Sequence, residues 1–299
     1  MSVDRLINIL VTITLIQMML SIGLSVTLAD IGAVASNWGL LLRGAAANYV
    51  CVPAVVIGLL LWFHTPPLVA TGFLIVAVCP GAPYGPPFTS LARGNTRAAV
   101  GLMVALAGSS VIAAPLLLQF LVPLVTGGPA LRFDAPRVVR ALLASQLLPL
   151  CAGLLVLEWL PSLAERLKRP FGRLSLLLNL SVFGLILGVH VHMFAAIRLR
   201  AFAGMFALVI SSLLTGWVLG ESGSSNRKTL GFSTSVRNVA VSLVIATGSF
   251  PGTAAVTAAL VYGVFQTLVL ALVAVVWGRL ETMIEPIAGA ATVSACRGD

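Results

Sequence analysis

Long apolar runs are the feature that most constrains the fold of this chain. A helix needs about 20 apolar residues to cross a hydrocarbon core about 30 Å thick, and runs of that length recur along nearly all of the 299 residues. Only 9% of the residues are charged, whereas a soluble domain carries roughly 25%. The sequence therefore predicts an all-α polytopic membrane protein and excludes a soluble enzyme.

The apolar runs define nine candidate transmembrane spans, separated by short segments rich in Pro, Gly and charged residues. The predicted spans cover residues 6–28, 39–63, 67–93, 97–126, 135–159, 171–195, 200–220, 227–249 and 252–279. The predicted connecting segments include residues 65–67, 126–129, 165–170 and 221–228. The short tail after Glu281 is expected to be disordered or interfacial.

The basic residues predict an orientation. A net charge of +9 in a soluble protein would suggest nucleic acid binding, but basic loops in a membrane protein set its topology. Eleven Lys and Arg fall on one side of the nine spans and six on the other. We therefore expect an integral protein of the cell (inner) membrane with its N-terminus outside and a cytoplasmic C-terminal tail. The expected partners are the lipid bilayer and a small molecule, with no nucleic acid.

Two of the predicted spans are interrupted. The third contains Cys79-Pro80-Gly81-Ala82-Pro83-Tyr84-Gly85-Pro86-Pro87, which cannot continue a regular helix because proline lacks the amide donor. The eighth contains the polar stretch 233–238. Two interrupted spans at corresponding places in two halves indicate a transporter binding site. The alternative for each interruption is a loop outside the membrane.

Arg237 is the sharpest single signal in the sequence, because a charge at membrane depth indicates function by default. None of the nine Asp and Glu residues lies in the middle of a span. The guanidinium is therefore expected to meet backbone carbonyls, water or an anionic substrate, and the alternative is an interfacial, snorkelling Arg.

Other polar groups accompany this arginine in the apolar spans. Ser233, Thr234, Ser235 and Asn238 offer hydroxyls and an amide for a polar substrate or a small cation. Asn48, shortly before a proline, is a candidate for substrate contact or for an interhelical hydrogen bond.

The remaining intramembrane polar residues receive structural interpretations. Gln17, Gln146 and Asn179 are expected to form interhelical hydrogen bonds, and His190 and His192 to lie at the membrane interface. Catalytic motifs and paired carboxylates are missing from the sequence, so we expect neither an enzyme nor a cofactor.

Three motifs resemble the bile acid:sodium symporter (BASS) family. They are Cys79-Pro80-Gly81, then Leu91-Ala92-Arg93-Gly94-Asn95, and Asn238 followed by Val239-Ala240-Val241-Ser242-Leu243. The resemblance covers the chain from its first span to about residue 279 and implies inverted repeats, here 1–127 with four spans and 128–299 with five. It also implies a panel (first, fifth and sixth spans) and a core, in which two discontinuous helices cross beside two sodium sites. The substrate binds between panel and core, and family members with ten helices have one more at the N-terminus.

Several positions depart from the pattern of the sodium-coupled members. A Ser-Asn pair of the first crossing helix corresponds to Gly85 and Pro86, and Ser and Thr of the next helix correspond to Ala99 and Met103. The Glu and Gln of the second crossing become Ser233 and Arg237, and Asn48 replaces a glutamine. These departures imply that the oxygen ligands of sodium are lost and that Arg237 supplies the positive charge.

The sequence thus predicts a secondary transporter of a small organic anion that works by alternating access without classical sodium coupling. The predicted site comprises Arg237, Asn238, Ser233, Thr234, Ser235, Asn48, Pro80, Gly81, Gly85 and Pro86. The alternatives are an ordinary sodium-coupled symporter with other ligands, an anion channel, or a membrane sensor without a transport cycle.

Overall fold

Helices account for all the regular secondary structure in the part of the chain that the computed structural model describes, residues 3–126, 133–189 and 199–295. They are α1 (Val3–Gly23), α2 (Leu28–Ala35), α3 (Trp38–Ala46), α4 (Val52–Trp62), α5 (Pro67–Ala77), α6 (Gly85–Leu91), α7 (Thr96–Thr126), α8 (Ala135–Leu142), α9 (Leu148–Trp159), α10 (Pro161–Val189), α11 (Leu199–Leu219), α12 (Ser224–Ser235), α13 (Val239–Ser249) and α14 (Ala254–Ala295). Short π-helical segments join α3 to α4 (Ala47–Cys51) and α8 to α9 (Leu143–Leu147).

Eight helical stretches are long and apolar enough to cross a membrane. They are Arg5–Gly23, Trp38–Trp62, Thr96–Thr126, Ala135–Trp159, Pro161–Val189, Arg200–Leu219, Ser224–Ser249 and Ala254–Leu280. The predicted polytopic all-α class is therefore confirmed. The predicted third span consists of two short helices, α5 and α6, so the total of nine crossings stays a prediction.

Three helix ends differ from the prediction. Helix α1 ends at Gly23, and Thr27 begins the separate helix α2, because its side chain and that of Asp30 cap the first turn reciprocally. Helix α10 runs through the predicted connecting segment 165–170 and contains Pro170; it starts at Pro161, since proline suits the first helical turn. Helix α14 continues to Ala295, so the tail after Glu281 is helical rather than disordered.

Some predictions fall outside the described residues. Most of the predicted connecting segment 126–129 lies there, as do both histidines of the sixth span, His190 and His192.

The helices pack in two groups. Helices α1, α8–α9 and α10 contact one another, and Gly23 and Gly153 permit a close approach of α1 to α9 because a Cβ on either would overlap the other helix. The other helices pack around α5, α7, α12 and α14, and the groups meet where α1 contacts α13 and α7 contacts α8. This grouping follows the panel and core that the resemblance implies, and the repeat boundaries at 1–127 and 128–299 stay a prediction.

Prolines produce the first helix break. Helix α5 ends at Ala77 because Pro80 has no amide hydrogen and disfavours a helical Cys79. The chain is non-helical from there to Tyr84. Gly85 and Pro86, predicted inside the break, instead form the first turn of α6, where a missing amide hydrogen costs little.

The second break is shorter than predicted. Ser233, Thr234 and Ser235 lie in the last turn of α12, so only residues 236–238 are non-helical. Asn238 starts α13, because its Oδ1 accepts the backbone N–H of Val241 at 3.2 Å. An asparagine cap therefore begins the helix that follows the second break, whereas the first break is produced by prolines.

The two breaks touch and satisfy each other's backbone groups. The backbone N–H of Asn238 donates to the carbonyl of Cys79 at 2.8 Å, and its Nδ2 donates to the carbonyl of Gly81 at 3.3 Å. All of these residues are buried. Irregular backbone at membrane depth requires such internal partners, so the two breaks form one crossing.

We predict that Gly81→Ala destabilises the protein. Gly81 has φ +76° and a Cβ there would overlap the backbone of Ala107, so the expected cost is about 2 kcal/mol or more. The measurement is the melting temperature of the full chain in detergent. Gly85→Ala is the matched control, because a Cβ at Gly85 meets no atom within 4 Å. An equal melting temperature for both variants would contradict a tight crossing.

Candidate functional site

Arg237 lies in the crossing with only 2% of its surface exposed. Its Nη1 donates to Asn48 Oδ1 at 2.9 Å and to the carbonyl of Ala77 at 3.1 Å, and its Nη2 donates to the carbonyl of Thr234. Ala77 is the last residue of α5, and Thr234 lies in the last turn of α12. One guanidinium therefore bonds the C-terminal carbonyls of both broken helices.

The helix ends explain why this charge is tolerated without a carboxylate. Each helix C-terminus carries about half a negative charge, so the two together match one guanidinium. Hydrogen bonds from a charged donor contribute about 1.5–3 kcal/mol each, and burying an ion costs several kcal/mol. Among the described side chains, no carboxylate pairs with Arg237. The alternative of a snorkelling Arg237 is therefore wrong.

The backbone of Arg237 is also held from outside its own segment. Its N–H donates to Gln266 Oε1 at 3.1 Å, and its carbonyl accepts Gln266 Nε2 at 2.9 Å. Gln266 belongs to α14 and is 1% exposed. One buried amide thus replaces the two hydrogen bonds that a helix would have provided here.

Asn48 connects another helix to the crossing. It lies in the π-helical segment between α3 and α4, and its Nδ2 donates to the carbonyl of Gly44 at 2.8 Å while its Oδ1 accepts from Arg237. Such π-bulges occur frequently at functional sites. Of the two roles expected for Asn48, the interhelical hydrogen bond is present, and substrate contact stays a prediction.

Two polar atoms at the crossing have unused hydrogen-bonding capacity. Arg237 Nε and Thr234 Oγ1 are buried without a hydrogen-bond partner in the described part of the chain. A buried donor or acceptor that stays unpaired costs about 1–3 kcal/mol, so these atoms favour an additional polar group at this place.

A cavity of about 310 Å³ lies between the two helix groups and reaches the crossing. One wall comes from α1 and α10, including Met18 and Phe183, and the opposite wall comes from α13, α14 and the first break. Arg237 and Asn238 also line it. The cavity is therefore mostly apolar, with Arg237 and Asn238 at the crossing and one further amide, Asn179, on the α10 wall.

The predicted site residues divide into two sets. Asn48 and Thr234 contact Arg237, and Gly81 contacts Asn238. Ser233, Ser235 and Pro80 are buried and adjoin Thr234 and Gly81 in the sequence. Ser235 Oγ donates to the carbonyl of Phe232 in its own helix at 3.4 Å.

The other set does not line the Arg237 cavity. Pro86 and Met103 line a neighbouring cavity of about 310 Å³ together with Asp30 and Arg97, and Pro83 lines both cavities. Gly85 and Ala99 are buried and belong to the lining of neither cavity as described. The structure therefore places Gly85, Pro86, Ala99 and Met103 neither in the described lining of the Arg237 cavity nor among the described hydrogen-bond partners of the guanidinium.

The intramembrane amides mostly join helices, as predicted. Gln17 Nε2 donates to the carbonyl of Phe171 in α10 at 3.3 Å, and Gln146 Nε2 donates to Ser110 Oγ at 3.2 Å and to the carbonyl of Ala107 in α7. Asn179 Nδ2 bonds its own helix at Ser175, with a weaker contact to the sulfur of Met18 at 3.9 Å.

Sequence reasoning missed Gln266. The available signal was the same as for the other amides, a polar side chain within an apolar span. Its specific role was not visible, because Gln266 and Arg237 lie 29 residues apart.

Crossing broken helices beside a cavity between two helix groups are typical of secondary transporters. A family model described as the sodium bile acid symporter family matches residues 12–197. Because this match covers more than half of the chain, the chain belongs to the sodium bile acid symporter family.

Curated relatives agree with the family assignment. The chain is 25% identical over 278 residues to the uncharacterized sodium-dependent transporter YocS of Bacillus subtilis, covering 90% of this chain and 83% of YocS. It is 24% identical over 265 residues to the probable sodium/metabolite cotransporter BASS1, chloroplastic, of Arabidopsis thaliana, covering 87% of this chain and 65% of the relative. It is 27% identical over 158 residues to the probable sodium/metabolite cotransporter BASS2, chloroplastic, of Oryza sativa subsp. japonica, covering 53% of this chain and 36% of the relative.

The family and these names describe membrane transporters rather than enzymes. The chain is accordingly an integral membrane protein of the symporter type that handles a small molecule.

We predict that Arg237→Met lowers the melting temperature of the full chain in detergent. The variant keeps a long side chain but leaves the carbonyls of Ala77 and Thr234 without their donor, at an expected cost of about 3 kcal/mol or more. Arg173→Met is the control, since Arg173 is exposed on α10. If Arg237→Met melts at the wild-type temperature, the guanidinium does not hold the crossing together.

Proposed function

We propose that this protein is a secondary transporter that moves a small organic anion by alternating access, without sodium coupling. The observation that carries the proposal is the bonding of the Arg237 guanidinium to the last-turn carbonyls of both broken helices. The charge belongs to the chain itself and is present throughout the transport cycle.

The position of this charge supports independence from sodium. In secondary transporters, unwound carbonyls and the C-terminal ends of half-helices coordinate Na⁺. Here the carbonyls of Ala77 and Thr234 already accept hydrogen bonds from a cation. A second unit positive charge 4 Å away would be repelled by about 4 kcal/mol at an effective dielectric constant of 20.

The residue types at the aligned sodium positions support the same conclusion. Gly85, Pro86, Ala99 and Met103 carry no side-chain oxygen, and oxygen atoms are the ligands that hard cations require. Ser233 keeps an oxygen, but it is a hydroxyl in place of a carboxylate.

The cavity at the crossing supports an anionic substrate with an apolar body. Asn238, Val239 and Ala240 line it, and they form the N-terminus of α13, an end of a helix that favours negative charge. Arg237, whose Nε has no hydrogen-bond partner in the described part of the chain, adds a charged donor at the same end of the cavity. The polar head of the anion would lie there, and its body would contact walls such as Met18 and Phe183.

Alternating access follows from the location of the cavity between the two helix groups. Rocking of one group against the other around a fixed site would expose that site to each side in turn. Gln146 bonds α7 from the opposite group, so we infer that this bond forms in some states of the cycle and breaks in others.

We also propose that the N-terminus lies outside the cell membrane and the C-terminal tail in the cytoplasm. Two ion pairs support the assignment of loops to a common side: Arg43 with Glu221 at 2.7 Å, and Arg97 with Asp30 at 3.7 Å. All four residues belong to the side with more basic residues, the side that is cytoplasmic in most membrane proteins.

A sodium-coupled symporter is the second candidate function. It is favoured by the names of the relatives, which are a sodium-dependent transporter and sodium/metabolite cotransporters. In that case the sodium ligands would be groups other than the aligned positions.

We predict that transport does not require a sodium gradient. A thermal-shift screen with carboxylates from pyruvate to cholate identifies the anion that stabilises the full chain most. Uptake of that anion into proteoliposomes is then measured with external sodium or with choline. Equal, saturable rates and acceleration by internal substrate are expected, because the fixed guanidinium takes the place of the coupled ion.

The Arg237→Gln variant separates the candidates. It is expected to lose most uptake in both media, whereas Arg173→Gln, on the exposed face of α10, is expected to keep it. Strict sodium dependence in the wild type and in Arg237→Gln would support the sodium-coupled symporter. Unsaturable electrical flux would support a channel.

We predict that Asn48→Asp weakens anion binding while the fold is kept. Asn48 Oδ1 already accepts from Arg237 at 2.9 Å, so the nearly isosteric carboxylate would form an ion pair and neutralise the fixed charge. The apparent affinity for the chosen anion, measured from the thermal shift, should fall at least about tenfold, equivalent to about 1.4 kcal/mol. Asn179→Asp is the comparison in the same cavity, because Asn179 Nδ2 bonds the carbonyl of Ser175 in its own helix rather than Arg237. An Asn48→Asp protein that binds the anion like the wild type would show that the guanidinium is only structural.

A further inference from the structure

A second cavity, of about 500 Å³, lies where α4, α5 and the start of α11 come together. Its walls are apolar and include Leu60, Val69, Phe73, Met205 and Leu208. As described, it shares no lining residue with the cavity at the crossing. The transport mechanism proposed above does not use it.

The rim of this cavity is basic. Arg200 and His64 line it, and none of its described lining residues is acidic. The guanidinium of Arg200 lies over the ring of Phe63, 5.5 Å from its centroid, a contact that leaves the N–H donors in the guanidinium plane available. The rim therefore offers donors and positive charge to an anionic group.

His64 is fixed at the rim by the end of α4. It adopts φ 50°, and the following Thr65 N–H donates to the carbonyl of Leu60 at 3.0 Å. This is the left-handed closure that often ends a helix. A histidine in this conformation is uncommon, and here it turns the chain between α4 and α5.

The cavity extends from the interface into the hydrocarbon layer. Trp62, adjacent to the rim, is 77% exposed, and exposed tryptophans mark the headgroup level of a membrane. From Arg200 to Leu208 the helix rises about 12 Å. An apolar channel of that depth below a basic rim matches an acyl chain below a phosphate.

We propose that this cavity binds one anionic phospholipid, with the phosphate at Arg200 and His64 and one acyl chain between α4, α5 and α11. Charge complementarity decides the class of lipid, because an arginine at headgroup level favours an anionic headgroup by about 1 kcal/mol, which is about fivefold in affinity.

Native mass spectrometry of the full chain in detergent tests this assignment. The protein is mixed with equimolar phosphatidylglycerol and phosphatidylcholine of identical acyl chains, and the two lipid adducts are compared. We expect a preference for phosphatidylglycerol that Arg200→Gln reduces about fivefold. Arg137→Gln is the matched control, since Arg137 is an exposed basic residue predicted on the same membrane face.

A cavity-filling variant tests the acyl chain separately. A Cβ at Gly204 makes its first contact with the Phe63 ring at an ordinary 3.7 Å, and Gly204 lines the cavity, so the side chain of Gly204→Leu is expected to occupy part of the cavity. It should lower specific binding of both lipids, whereas Gly58→Leu, which meets no neighbour within 4 Å of its Cβ, should not.

Three results would overturn the proposal. The first is equal binding of the two lipids to the wild type, and the second is an equal effect of Arg137→Gln and Arg200→Gln. The third is displacement of the bound lipids by oleate in the absence of any preference for phosphatidylglycerol. The last result would assign the cavity to a free fatty acid.

Discussion

At the crossing, one guanidinium bonds the terminal carbonyls of two helices that end inside the membrane. Without Arg237, two partial negative charges and two acceptors would face each other in a region that water does not solvate. Two further side chains hold this arrangement in place. Asn48 accepts a hydrogen bond from the guanidinium, and Gln266 bonds both the backbone N–H and the carbonyl of Arg237. Only 9% of the residues are charged, and the crossing needs one of them, Arg237, because the dipoles of the two helix ends neutralise its charge.

The C-terminal and N-terminal ends of the broken helices carry opposite partial charges and therefore favour different ions. The C-termini of α5 and α12 meet at Arg237, where a cation is needed, and the N-terminus of α13 faces the cavity, where an anion is favoured. We propose that the first need is met by Arg237 itself, a cation that is covalently part of the chain, rather than by a bound ion. In this account the anion site is prepared before any substrate or ion arrives.

Part of the crossing could be predicted from the sequence, and the remainder depends on contacts between residues that are distant in sequence. Four prolines predicted the first break, and the isolation of Arg237 among apolar residues predicted its importance. The extent of the second break was wrong, because it depends on the cap at Asn238 and on Gln266, a side chain from a distant helix. The partners of Arg237 are largely carbonyls, which every residue carries, so no residue type could indicate them. The neighbouring cavity at Pro86 and Met103 likewise depends on tertiary packing.

Hydrogen–deuterium exchange at the crossing tests the central claim, that Arg237 replaces a bound cation, without knowledge of the substrate. The full chain in detergent is compared in sodium chloride and in choline chloride, and exchange is followed in peptides that cover residues 77–84 and 234–241. Since the guanidinium already bonds the carbonyls of Ala77 and Thr234, we predict identical exchange in the two salts. Slower exchange of both peptides in sodium would show that a sodium ion binds the crossing, and would contradict the account.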